Sequence, residues 1–162
     1  MHAIGDVDEA NSAIGIAITA LGVARAQSDH ATMLRRIQND LFDLGADLAT
    51  PGETFAPDAM TLRIVAAQVD RIEAEIDRMN GALDPLRSFI LPGGAPAAAA
   101  LQLARAIVRR AERSAVAAAR EMPLNPAALT YLNRLSDHLF VMCRVLNAEV
   151  QGDILWVPGG SR

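Results

Sequence analysis

The sequence contains no lysine; all fifteen of its basic residues are arginine. That excludes a Schiff-base amine and the lysine of a P-loop, so any phosphate bound here is held by guanidinium groups and backbone amides. A single cysteine, Cys143, permits no internal disulfide and fits a reducing compartment, the cytoplasm. Aromatic residues reach only 4%, while alanine is abundant, a balance that favours helices packed closely through small side chains over a β-sandwich. No apolar run approaches the roughly 20 residues that span a bilayer, and no basic-then-apolar leader opens the chain, so a soluble protein with no membrane partner is expected. The net charge of −4 offers nucleic acid no general attraction, and no nucleic-acid partner is expected. Three scattered histidines (His2, His30, His138) make no zinc set with one cysteine, and no Glu-x-x-His pair exists to ligate a di-iron centre. No metal is assigned to protein side chains.

What is present is a chain of 162 residues, 51% apolar and 21% charged, read as one folded domain over 1–162. Prolines leave five long stretches intact. The first runs from Val7 to Ala26, with Gly15 and Gly22 as small positions where another helix approaches. Ser28-Asp29 caps a second, in which Met33, Leu34, Ile37, Leu41, Leu44 and Leu48 keep a helical period until Thr50-Pro51-Gly52. Pro57-Asp58 opens a third, carrying Leu62, Val65, Val69, Ile72 and Ile76 to the stop at Asn80-Gly81. The segment from Gly81 to Pro96 is irregular. A fourth helix spans Ala97 to Glu121, and Asn125-Pro126 begins a fifth that reaches Gln151. Nothing alternates long enough to form a sheet, and the predicted fold class is all-α, a five-helix bundle.

The fourth helix carries the most informative pattern. At about 100° per residue, Arg105, Arg109 and Arg113 stack on one face with Glu112 beside them, while Ala104, Ile107, Val108, Ala111 and Ala115 face the core. Stacked guanidinium groups repel one another unless an anion joins them. That anion is either a protein carboxylate or a bound polyphosphate, and a solvated arginine face is the plainer alternative. On the last helix Asn133, Asp137, Phe140 and Arg144 form a second stripe, which reads either as an intrahelical network with a core ring or as a site. Leu132, Leu135, Leu139, Met142 and Leu146 serve the core. Asp8 either caps the first helix or pairs with an arginine of the fourth. His138 reads as a surface or network residue rather than a base.

Five segments, in this order, resemble the PduO-type ATP:corrinoid adenosyltransferases, also called cobalamin adenosyltransferases. They are GDVDEANSAIG from Gly5, IQNDLFDLGADLATP from Ile37, FILPGG from Phe89, ARAIVRRAER from Ala104 and YLNRLSDHLF from Tyr131. The resemblance implies a helical bundle assembled as a homotrimer, with active sites between neighbouring subunits. It implies transfer of the 5′-deoxyadenosyl group of ATP to cob(I)alamin, with Mg²⁺, giving adenosylcobalamin and triphosphate. By motif, Arg109, Arg110, Glu112, Arg113 and Asn133 bind ATP, and Arg109 and Phe89 are the catalytic residues. Arg105 pairs with Asp8, across a subunit boundary, to hold the site together. Phe89 presses on the lower face of the corrin and displaces its axial ligand, with Phe140 and Asp137 completing the cobalamin site. A cobalamin-dependent enzyme is the expected recipient of the product.

The family's glycine- and threonine-rich triphosphate loop, with its lysine, is not found before the first helix in this sequence; either an N-terminal part precedes the residues given, or the bundle does without that loop. Gln102 stands where histidine is usual, and Ala10 where leucine is usual. The alternative reading is a non-catalytic corrinoid-binding or cobalamin-delivery protein. A ligand-free structural oligomer is a third.

Overall fold

The computed structural model describes residues 2–58 and 60–160. It contains five α-helices: α1 (His2–Ala20), α2 (Asp29–Leu48), α3 (Ala66–Asn80), α4 (Pro96–Ala118) and α5 (Pro126–Ala148). A short 3₁₀ turn, Val23–Arg25, lies between the first two. α1 packs chiefly on α4, α4 on α5, α5 on α3 and α1 on α2. Ion pairs from Arg36 to Glu75 and from Arg71 to Asp40 join α2 to α3 and close the ring.

Alanine explains the close α1–α4 seam. Ala3, Ala10, Ala13 and Ala17 of α1 and Ala97, Ala98, Ala104, Ala111 and Ala115 of α4 are all buried. Small side chains let the two axes approach, while Ile14, Leu101 and Val108 fill the remaining space. The other side of the core is larger-grained: Leu34, Ile37, Leu41 and Leu44 of α2 meet Leu132, Leu135 and Leu139 of α5 and Ile72 of α3. The expected core faces of α4 and α5 are both buried. No described helix is long and apolar enough to cross a membrane.

The expected caps are present where they are local. Ser28 Oγ accepts the Ala31 amide at 3.2 Å, and Asn125 Oδ1 accepts the Ala127 amide at 3.0 Å with Pro126 opening α5. α1, α4 and α5 end a few residues earlier than expected, at Ala20, Ala118 and Ala148, and three further features differ. α1 begins at His2, so Asp8 lies inside the helix and does not cap it. Gly22 is not a helix-packing position; its φ of 79° places it in the turn after α1. α3 begins at Ala66 rather than at Pro57-Asp58.

A buried carboxylate causes that last difference. Asp47, at the end of α2, accepts Arg63 Nη1 at 2.7 Å and the Ile64 amide at 2.8 Å. Asn125 then bridges it, donating to Asp47 at 2.6 Å and to the Ile64 carbonyl at 2.8 Å. Arg63 also reaches the Thr50 carbonyl at 2.6 Å. These bonds hold residues 63–65 extended, which leaves Leu62 exposed instead of on a helix face.

Candidate active site

The irregular segment between α3 and α4 carries Phe89, and α5 fixes its position. Asn147 Oδ1 accepts the Ala95 amide at 3.0 Å and Nδ2 donates to the Gly93 carbonyl at 3.2 Å. The turn needs glycine there: Gly94 has φ 95°, and a Cβ on it would lie 2.1 Å from Asn147 Oδ1. Arg144 holds the start of the segment, donating to the Asp84 carbonyl at 2.7 Å, and is paired with Asp153 at 2.9 Å. Arg144 therefore takes no part in a network with Asp137, whose ion pair is with Arg134 at 3.1 Å. Phe89 emerges 77% exposed.

Beside it opens a cleft of about 620 Å³ between this segment, α4 and α5. Leu86, Phe89, Ile90 and Phe140 give it apolar walls, and Ser88, Gln102, Arg105, Ser136 and Asp137 give it polar ones. Four predicted site residues (Phe89, Arg105, Asp137 and Phe140) thus meet in one place. The Arg105 guanidinium lies 5.6 Å from the centre of the Phe140 ring. Its Nε donates to Gln102 Oε1 at 3.1 Å, and Gln102 Nε2 in turn donates to Cys143 Sγ at 3.1 Å. Burial pushes the Cys143 thiol up to about 12, with the Asp153 charge adding to the rise, so it stays a neutral thiol. The sequence marks Gln102 only as a departure from the family's usual histidine; its place beside Arg105 comes from the structure.

The next turns of α4 line a second, smaller cleft of about 330 Å³ with Arg109, Glu112, Arg113, Val116, Ala117 and Arg120. Glu112 accepts Arg109 Nη1 at 2.5 Å on one carboxylate oxygen and Asn133 Nδ2 at 2.7 Å on the other. Arg113 donates to the Arg109 carbonyl at 2.9 Å. The ladder is therefore not neutralised rung by rung: one carboxylate serves Arg109, and Arg105 and Arg113 rest on neutral acceptors.

Arg110 points elsewhere. It is paired with Asp6 at 3.1 Å and with Glu9, both on α1. Hydrogen bonds from Ser114 and Arg110 outweigh the cost of burial and hold the Asp6 carboxyl below its usual range. Asp8 also lies away from the Phe89 cleft, in a groove of about 330 Å³ between α1 and α2 with Asn11 and Phe42. The Asp8–Arg105 pair is not formed within one chain; the ion pairs between α1 and α4 run from Arg110 to Asp6 and Glu9. Those two partners were missed in the sequence, although an acid pair at i, i+3 on α1 was there to be read.

His138 is a buried network residue rather than a surface one, with Nε2 2.8 Å from Glu75 Oε2. Tyr131 donates to Asp40 at 2.7 Å. Both sit on the α2–α3 side of α5 and outside the clefts. Among the described residues no three histidine, cysteine, aspartate or glutamate side chains gather to hold a metal ion.

Comparison with known proteins decides the kinship. The family described as cobalamin adenosyltransferase matches residues 1–146. The chain belongs to the cobalamin adenosyltransferase family. A corrinoid adenosyltransferase of Mycobacterium tuberculosis is 49% identical over 162 residues, covering 99% of this chain and 81% of its own. That of Bacillus subtilis is 38% identical over 149 residues, covering 92% of this chain and 75% of its own. Among solved structures, a variant PduO-type ATP:corrinoid adenosyltransferase from Lactobacillus reuteri, complexed with cobalamin and ATP, is 38% identical with a TM-score of 0.81. It covers 95% of this chain and 83% of its own. A second variant of the Lactobacillus reuteri enzyme, complexed with ATP, has a TM-score of 0.84 at 37% identity, covering 96% and 86%. The five-helix bundle of this chain is the fold of these adenosyltransferases.

Proposed function

We propose that this chain transfers the 5′-deoxyadenosyl group of ATP to the cobalt of a reduced corrinoid and releases triphosphate. The observation that carries the reading is the adjacency on α4 of two unlike clefts: one walled by Phe89 and Phe140, the next lined by Arg109, Arg113 and Arg120. A flat, largely apolar ligand suits the first, and an anionic chain of phosphates suits the second. Kinship with adenosyltransferases solved with cobalamin and ATP points the same way.

Cob(I)alamin supplies the nucleophile as the electron pair on its cobalt. That pair forms the bond to ribose C5′ as the bond from C5′ to the phosphate oxygen breaks, and triphosphate leaves with the electrons. No protein base is needed. The chain's task is to place the two partners at near-attack distance and to stabilise the leaving charge. Arg109 and Arg113 face the phosphates. Glu112 orients Arg109 and Asn133 together, so all four residues act as one nucleotide-binding unit. Arg110 joins them only by leaving Asp6 and Glu9, which makes it the weakest of the ATP contacts. Phe89 bears on the lower corrin face, while Phe140 and Asp137 form the opposite wall. Mg²⁺ accompanies ATP as an ion that its phosphates ligate.

The working unit is a homotrimer with each site shared between neighbouring copies. The open groove holding Asp8 and the 71% exposed Phe42 supports this, as does an Asp8–Arg105 pair that one chain leaves unmade. The cytoplasm is its compartment, consistent with a lone buried thiol, and a cobalamin-dependent enzyme receives the product.

The test is formation of adenosylcobalamin from ATP and chemically reduced cobalamin, followed by visible absorbance. Turnover with stoichiometric triphosphate release supports the reading. Corrin binding without turnover would favour a cobalamin-delivery protein instead. Sedimentation equilibrium at three times the chain mass supports the trimer, and a stable monomer refutes it.

A further inference from the structure

The residues after α5 return across the bundle to the segment that carries Phe89. Leu91 donates its amide to the Ile154 carbonyl at 2.8 Å, and Trp156 donates its amide to the Phe89 carbonyl at 2.8 Å. Ile90 and Leu155 thereby form an isolated antiparallel bridge, and Ser88 Oγ adds a bond to the Trp156 carbonyl at 2.8 Å. The root of this strap is fixed as well. Arg144 grips Asp153 on the strap side and the Asp84 carbonyl on the other, so one guanidinium ties both segments to α5. Gly152, with φ 82°, makes the turn that sends the chain back.

The side chains repeat the backbone contact. The Trp156 ring meets the Phe89 ring edge-on, with centroids 5.9 Å apart at an angle of 65°, a favourable aromatic geometry. Phe89 is otherwise poorly supported: it is 77% exposed and stands on an irregular segment. A ring that must press on a ligand from such a position needs something behind it, and Trp156 provides it. Trp156 does not line the cleft, whereas Phe89 does.

We propose that Trp156 is a positioning residue for the adenosyl transfer: through its edge contact it fixes the ring of Phe89 against the corrin. This rests on the reading of Phe89 given above. Residues 153–157 act as a strap that sets the ring's height over the cleft, and Trp156 itself touches neither substrate.

The strap is tested first without ligand. Trp156 is the only tryptophan, so the tryptophan fluorescence reports the surroundings of this one ring. In Phe89→Ala its emission should move to longer wavelength; an unchanged spectrum would overturn the contact. The role is then tested by a cycle of Trp156→Ala, Phe89→Ala and the double variant. Trp156→Ala should lower turnover about three- to tenfold, the factor expected for one aromatic pair, with the KM for ATP unchanged. It should also lower the fraction of bound cob(II)alamin that has lost its axial base, read by its visible spectrum in the presence of ATP. Trp156→Phe should restore both. In the double variant the loss should equal that of Phe89→Ala alone. Additive losses would show that Trp156 acts independently of Phe89 and would refute the assignment. So would a Trp156→Ala protein that matches the parent in turnover and spectrum. A parent chain that neither binds cobalamin nor turns over would instead sink the adenosyltransferase reading, leaving the fluorescence result standing.

Discussion

Glu112 on α4 accepts the side-chain amide of Asn133 on α5 at 2.7 Å. Its other oxygen takes Arg109, so a guanidinium lining the smaller cleft is oriented by a carboxylate that a neighbouring helix holds. Fixing donors before the ligand arrives is what a site needs if it is to stabilise charge that appears only during reaction.

Arg109→Ala removes the guanidinium at the centre of that unit. Turnover should fall by about a hundredfold or more, the usual cost of losing one preorganised donor to developing charge. Stability should barely change, because the side chain is 45% exposed and an i, i+3 ion pair at such a position contributes less than about 1 kcal/mol. Steady-state assays alongside a thermal melt check both halves. A variant that unfolds while keeping its ATP affinity would make the ladder structural.

The glycine pair before α4 gives a second test. Gly94→Ala must place a methyl group where Asn147 Oδ1 already sits, on a backbone with φ 95°. A loss of about 1–3 kcal/mol in urea unfolding is expected. The Phe89 segment hangs on that turn, so cobalamin affinity should drop more than ATP affinity. Equal losses for both ligands would mean that the turn does not set the corrin side of the site.

How far the sequence reached depended on the range of the interactions involved. Ser28 and Asn125 were legible as caps because each bonds an amide within three residues, and the arginine ladder was legible because its period is that of the helix. The late start of α3 was not, since the competitor is Asp47, reached from Arg63 and Asn125 across the fold. Arg110 shows the same limit: its place in the ARAIVRRAER segment says nothing of Asp6 and Glu9, which lie about a hundred residues away in the chain. The contact between Trp156 and Phe89 was hidden for another reason. A bridge of one residue pair leaves no alternation to detect. Gln102 stood out as an unusual residue, but which of its neighbours it held could not be read from one chain of letters.

Asp47 makes the strongest stability prediction. Its carboxylate is fully buried and serves Arg63, the Ile64 amide and Asn125 at once. Asp47→Ala leaves the buried Arg63 charge without its anion, which should cost about 3–5 kcal/mol. The measurement is the urea midpoint at constant slope. Since the clefts are lined from α4, α5 and the segment before α4, turnover of the remaining folded protein should be close to that of the parent. A loss below about 1 kcal/mol would show that the network is dispensable.

The pair of Glu75 and His138 sets a pH dependence. Burial alone would raise the Glu75 carboxyl, but the hydrogen bond and charge of His138, with the charges of Arg36 and Arg71, outweigh it and leave the group below its ordinary value of 4.5. A carboxyl lowered on folding contributes stability that is fully present above its unfolded value and is lost as pH falls through the folded one. The parent should therefore exceed Glu75→Gln in melting temperature at about pH 7, and the gap should narrow as pH is taken from about 5 to about 3. Glutamine keeps the shape of the protonated acid, so the comparison isolates the charge. The groups facing Glu75 from the neighbouring helices are Arg36 of α2 and His138 of α5, with Arg71 on its own helix, and all of them favour the anion. A gap of constant size down to about pH 3 would mean that Glu75 folds without a preference for its charged form, and that His138 is held by packing alone.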